Sequence, residues 1–295
     1  YPKSVALQIP MSASLGFAVA AALFFGLSAI PAKRGLSHAD PQAGALISIA
    51  AVVATFSLTS PWWMQSSDWF VPGFWWFVAT GLVNPMLSVY FTLESMNRAG
   101  VTVASTLAAT SPLFAAFTAI LLLGETITSL IMVGTLVTMA GVMSLTWTPG
   151  TGVTRVMRIA LIFATAASII RGLVNTTGKI GLELLPNAMM AGFLSYTVGG
   201  LGVLLIYRIR HGRLPLHIPR TGVGAFALSG MCIAVAISCM YAALLRDAVT
   251  LVSPVIATYP VFTLFAALAL REERITLQIG AGVAVVVGGV VLIHL

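Results

Sequence analysis

The chain carries 295 residues, 59% of them hydrophobic and 8% charged, with a mean hydropathy of +1.01 and a formal net charge of +7. A water-soluble protein of this size needs a largely polar exterior, which this composition cannot provide, so the exterior is made for lipid. The stretch after Tyr1 is too mixed to be a cleavable signal peptide.

A bilayer core of about 30 Å takes roughly 20 apolar residues per helix. Ten segments meet that requirement, in chain order 15–32, 43–59, 70–95, 101–123, 127–147, 159–177, 188–207, 223–245, 250–270 and 276–293. They are continuously apolar rather than alternating, which predicts helices and not a barrel. The connections are short, and none has the length of a separate soluble domain. In the third segment, "ATGLVNPMLSVYFTLES", Pro85 removes a backbone donor and frees the Gly81 carbonyl. Pro112, Pro254 and Pro260 are expected to kink the fourth and ninth segments in the same way. Cys232 and Cys239, seven apart on one expected helix, have backbones about 10 Å apart. That is beyond disulfide reach, and they read as packing residues.

One phrase occurs twice. "TSPLFAAFTAILLLGETIT" (110–128) returns 148 residues later as "TYPVFTLFAALALREERIT". Between 98 and 145, 19 of 48 positions match their partners at that offset. The pairs include Arg98 with Arg246, Ser105 with Ser253, Pro112 with Pro260, Phe114 with Phe262, Glu125 with Glu273 and Gly141 with Gly289. The opening helices align at an offset of 146, pairing Gly26 with Gly172, Lys33 with Lys179 and Gly35 with Gly181. The chain therefore reads as two five-helix units, 1–150 and 151–295. Each passage reverses direction and five is odd, so the second unit is inverted relative to the first, a plan of secondary transporters. The expected fold is an all-α polytopic membrane protein, with ten transmembrane helices in two inverted five-helix repeats around a central cavity.

Basic residues gather on the cytoplasmic side of membrane proteins. The odd-numbered connections hold Lys33, Arg34, Arg98, Arg155, Arg158, Arg208, Arg210, Arg213, Arg220, Arg271 and Arg274. The even-numbered ones and the tails hold Lys3, Lys179 and Arg246, with Arg171 added if it ends a helix. The second connection, "SPWWMQSSDWFVPGFWW", is Trp-rich and has no basic residue, as expected at an external headgroup interface. This count places both termini outside the cytoplasm of a bacterial inner membrane.

At these residues the sequence resembles the drug/metabolite transporter superfamily, in its EamA-like ten-helix form and its amino-acid exporter type. The resemblance rests on the paired "P-x-F…GE-x-IT" and "P-x-F…EE-x-IT" segments and on "FFGLSAIPAKRGL", and it spans essentially the whole chain. It implies a carrier of small metabolites with a cavity between the repeats. Phe25 and Arg171 stand where such proteins often have an opening Trp, and the usual basic second connection is missing. Members often keep the N-terminus in the cytoplasm, opposite to the placement by charge.

An ionisable residue within a membrane span is costly and marks function by default. Arg171, in "SIIRGLVNTTGK", is always charged and grips carboxylates through paired hydrogen bonds. The competing reading has it snorkelling from a helix end to headgroups. Asn175 lies one turn on. Phe25 and Ser28 on the first segment, Asn84, Ser88 and Tyr90 on the third, Ser111 on the fourth, Ser238 and Tyr241 on the eighth and Tyr259 on the ninth complete the expected cavity lining. For any single Ser or Thr among them the plainer reading, helix–helix glue, wins, and the set carries more than its members. Glu125 and Glu273 are expected to face the dipole of the helix that follows each of them.

No Walker motif is present, so ATP is not the fuel. The four His lie in or beside connections without metal-ligand spacing, and no nucleophile–base pair points to an enzyme. The positive charge follows membrane orientation rather than nucleic acid. No metal or cofactor is expected, and the partners are a small solute and lipid. Fused repeats allow a monomer. A lone membrane Arg suits a zwitterion, so amino-acid export is the leading expectation. Lipophilic drugs or quaternary cations come second, and a channel-like pore, which needs a continuous polar lining, comes third.

Overall fold

In hydrocarbon every backbone amide and carbonyl must find a partner inside the chain, and the apolar segments answer this as helices. The computed structural model describes residues 11–108, 110–146, 155–212, 218–270 and 277–294, and no strand occurs among them. The helices are α1 (Met11–Leu36), α2 (Pro41–Thr59), α3 (Gly73–Val83), α4 (Ser88–Ala108), α5 (Ser111–Leu123) and α6 (Ser129–Thr146) in the first half. The second half has α7 (Arg155–Leu184), α8 (Ala188–His211), α9 (Arg220–Leu244), α10 (Val249–Ile256), α11 (Tyr259–Ala269) and α12 (Leu277–Ile293). Seven apolar spans long enough to cross a bilayer, joined by three shorter apolar helices, make the ten passages. Lys3, Arg213, His217, Arg271, Glu273 and Arg274 lie outside the described residues, as do the side chains of Arg155 and Arg158.

Alternate ends of the passages meet at two faces. The aromatic face carries 60–70, where two short 3-10 turns leave Trp62 and Phe70 exposed at 82% and 89%. Asn187, the N-cap of α8, ties that segment down through Asp68 Oδ2 (2.9 Å) and the Trp63 carbonyl (3.1 Å). The opposite, basic face carries Lys33, Arg34, Arg208, Arg210 and Arg220, all exposed.

The halves interlock through repeat-related contacts. A Cβ on Gly26 would lie 2.6 Å from Tyr259 O and 2.7 Å from Phe262 Cβ; on Gly172 it would lie 2.5 Å from Phe114 Cβ. Phe114 and Phe262 are themselves repeat partners, so α1 on α11 and α7 on α5 are the same joint made twice. Gly35 receives the Phe226 ring as Gly181 receives that of Phe77. The equivalent helices α6 and α12 pack on each other through Gly134, Gly141 and Gly289. Dispersion and close approach hold such joints, because lipid gives apolar side chains no reason to leave it. The core is accordingly rich in alanine, with Ala18, Ala21, Ala115 and Ala119 buried.

The proline expectations need correction. Pro85 does not kink one helix: α3 stops at Val83, the Asn84–Pro85 bond is cis, and α4 begins at Ser88. Pro112 and Pro260 sit in the first turns of α5 and α11, where a missing N–H is no loss, so they start helices after breaks. Of the four prolines expected to kink, only Pro254 lies inside a helix, α10. The expected connection around Arg98 is absorbed into α4. Arg98 lies over the Phe163 ring at 5.9 Å, yet Leu107 O accepts from Ser168 Oγ at 2.7 Å, further along α7.

Gly289→Ala would set a methyl 2.5 Å from Thr138 N, whereas Gly288 has open space around it. Overpacking of this kind costs about 1–3 kcal/mol. Thermal unfolding in detergent is expected to show a lowered midpoint for Gly289→Ala and an unchanged one for Gly288→Ala.

Candidate substrate cavity

A cavity of about 170 Å³ opens among α1, α2, α4, α7, α8, α9 and α10. Of the residues expected to line it, Arg171, Asn175, Phe25, Ser28, Asn84, Ser88, Ser111 and Tyr259 do so. Three do not. Tyr90 packs on Phe91 and Phe163, away from the opening. Ser238 returns its hydroxyl to the Ala234 carbonyl at 2.9 Å, the local bond open to any helical serine. Tyr241 is buried against the Phe77 ring (5.8 Å) and closes the aromatic-face side.

Arg171 lies near the middle of α7, which excludes the snorkelling alternative. Its Nε is buried without a hydrogen-bond partner, and none of the described lining residues is Asp or Glu. The Tyr196 and Tyr259 hydroxyls lie within electrostatic range of its charge. Phe25, its repeat equivalent, meets Tyr259 with ring centroids 6.4 Å apart. Asn175 donates to Ser253 Oγ at 3.1 Å, and Ser88 donates to Asn84 Oδ1 across the break between α3 and α4. The polar end is thus a guanidinium bordered by tyrosines, amides and hydroxyls. Beyond it Val89, Leu93, Met96, Ile233, Ile237 and Met240 form an apolar wall.

Tyr196, Ser48, Thr92, Ser229 and Ser253 line the cavity and were not singled out from the sequence. Ser253 carried a signal, being matched by Ser105 across the repeat. Tyr196, in "FLSYTVGG", carried the ordinary one of an aromatic hydroxyl in an apolar run.

Glu125 acts on a different helix from the one expected. Its two carboxylate oxygens accept from Val249 N (2.8 Å) and Thr250 N (3.0 Å), capping α10 rather than the following α6. The anion-to-N-terminus chemistry is as read, and only folding reveals which N-terminus it meets. Cys232 and Cys239 are free thiols. Among the described residues no cluster of three or more His, Cys, Asp or Glu is arranged to hold a metal.

A transporter-family profile matches this chain twice, over 13–147 and 158–295, and its description is the EamA-like transporter family. The chain belongs to that family. It is a multi-pass membrane protein of the drug/metabolite transporter type, with a small-molecule substrate and a lipid environment. A search of curated proteins returns no match. One solved crystal structure superposes with a TM-score of 0.79 at 16% identity, over 96% of each chain, and establishes likeness of fold.

Ser48 and Ser229 face the cavity, whereas Val252 is packed in the core and does not line it. With both native cysteines replaced by alanine, Ser229→Cys is expected to react with a water-soluble maleimide. Val252→Cys, in the packed core outside the cavity lining, is expected to resist it. Mass spectrometry of the labelled protein reads both.

Proposed function

We propose that this EamA-family carrier exports amino acids, and in particular zwitterions with uncharged, apolar side chains, by alternating access. The observation that carries this reading is the Arg171 guanidinium facing the cavity from mid-helix, its Nε buried without a hydrogen-bond partner. A carboxylate satisfies it with two parallel charge-assisted hydrogen bonds. The hydroxyls and amide oxygens of Asn84, Ser88 and Asn175 offer acceptors for an ammonium, and the apolar wall suits a hydrocarbon side chain. An organic cation would meet Arg171 with no lining acid to compensate it. A carrier is favoured over a pore because the cavity wall is largely apolar rather than a continuous polar lining.

The distribution of Lys and Arg supports an inward-facing basic face, with both tails outside the cytoplasm of a bacterial inner membrane. Alkaline phosphatase fused after Leu295 is expected to be active in a bacterial host. An inactive fusion would reverse the orientation and the direction of transport with it.

Arg171→Gln keeps most of the side-chain volume and removes the charge. Charge-assisted bonds are each worth about 1.5–3 kcal/mol, so amino-acid counterflow in proteoliposomes is expected to fall by about 10- to 150-fold. Arg171→Lys is expected to recover part of it. Unchanged counterflow in Arg171→Gln, or wild-type protein that moves a quaternary ammonium in place of amino acids, would sink the reading.

A further inference from the structure

The duplicated halves meet at the cavity through equivalent positions that have grown unlike. Phe25, Ala29 and Ser111 line it from the first half, and their partners at the offsets of 146 and 148, Arg171, Asn175 and Tyr259, line it from the second. In each pair the second half carries the longer polar side chain. Arg171 and Asn175 are one helical turn apart on α7 and share a face. Tyr259 opens α11, and Tyr196, from α8, brings another phenol to the same cavity. Both hydroxyls lie within electrostatic range of the Arg171 guanidinium.

Asn175 is engaged with Ser253 Oγ, but the other donors are not engaged within the protein. Among the described residues neither phenol has a hydrogen-bond partner, and neither hydroxyl is sealed off from the cavity. The terminal nitrogens of Arg171 are in the same condition, while its Nε is closed in behind them. A tyrosine hydroxyl buried in a protein ordinarily finds a partner, so two that find none beside one guanidinium define the chemistry that fits between them. An ionised carboxylate offers about four lone-pair sites on its two oxygens. The Arg171 fork takes two of them through parallel bonds. The others need donors of their own, because an acceptor left bare inside a membrane protein loses the bonds that water gave it.

We propose that Tyr196 and Tyr259 complete, with Arg171, an anion subsite built wholly from the second half, in which the guanidinium grips the substrate carboxylate and the two phenols donate to its remaining lone pairs. The inference rests on the reading of Arg171 as the carboxylate anchor and extends it from one residue to three, on α7, α8 and α11. The phenols set affinity for the anionic end of the solute and take no part in recognising its side chain.

The test uses the full chain in proteoliposomes, with counterflow of radiolabelled L-leucine measured for wild type, Tyr196→Phe and Tyr259→Phe. Each variant keeps the ring and removes only the hydroxyl. Loss of one bond to a charged acceptor is expected to raise the half-saturating leucine concentration about tenfold, the effect falling there rather than on the maximal rate. The melting midpoint in detergent without leucine is expected to stay at the wild-type value, because neither hydroxyl has a partner among the described residues to lose. A half-saturating concentration unchanged in either variant strikes that tyrosine from the subsite, and one that rises together with a lowered midpoint assigns it to packing instead. Arg171→Gln in the same assay separates the subsite from the amino-acid reading itself. If it loses counterflow while both phenylalanine variants behave as wild type, the tyrosines fall and the reading stands. Wild-type protein that moves no leucine, or Arg171→Gln that moves it as well as wild type does, overturns both.

Discussion

A helix that stops inside a membrane leaves carbonyls and amides that lipid cannot satisfy, and the architecture follows from where those ends go. The chain interrupts its helices at 83–88, 108–111, 244–249 and 256–259. Every interruption is turned toward the cavity or met by a side chain from another element. Ser168 donates to the Leu107 carbonyl, and Lys179 and Glu125 serve the two ends of the 244–249 turn. Helices left whole, such as α6 and α12, stand apart from the cavity and pack on each other. Broken helices thus mark the working centre and continuous ones its support.

The glycine joints make that centre adjustable without weakening it. At Gly26 and Gly172 the helices touch nearly backbone to backbone, and Thr118 and Thr176 share a hydrogen bond of 2.7 Å beside the second joint. Polar bonds of this kind are modest in a membrane, so specificity of packing rests on shape. Because the same joints occur in both halves, either half can serve as the support on which the other tilts.

Much of this plan is written locally and was legible in the residues. The 148-residue offset, the odd number of passages and the glycine pairs give the inverted repeat before any coordinate is known. Arg171 stood out because a charge in an apolar run has no bland local explanation. What stayed hidden depends on residues far apart in sequence. Glu125 lies 124 residues from Val249, and Lys179 lies 65 from Leu244. Periodicity cannot join such partners. Tyr90, Ser238 and Tyr241 were misplaced for a related reason: a polar side chain on the right helix turns inward or outward according to its neighbours. The prolines misled because the ring that kinks a helix in its interior is at home in its first turn, and sequence alone does not say where that turn begins.

Phe25 and Arg171 occupy equivalent places in the two halves, facing one cavity from α1 and α7. Had both remained aromatic, or both become cationic, a solute turned end over end would fit as well as before. With one wall charged and the other greasy, the site has a compass. On the proposed reading, a zwitterion keeps its carboxylate toward α7 as the halves exchange positions around it, carried in a fixed attitude rather than tumbling through.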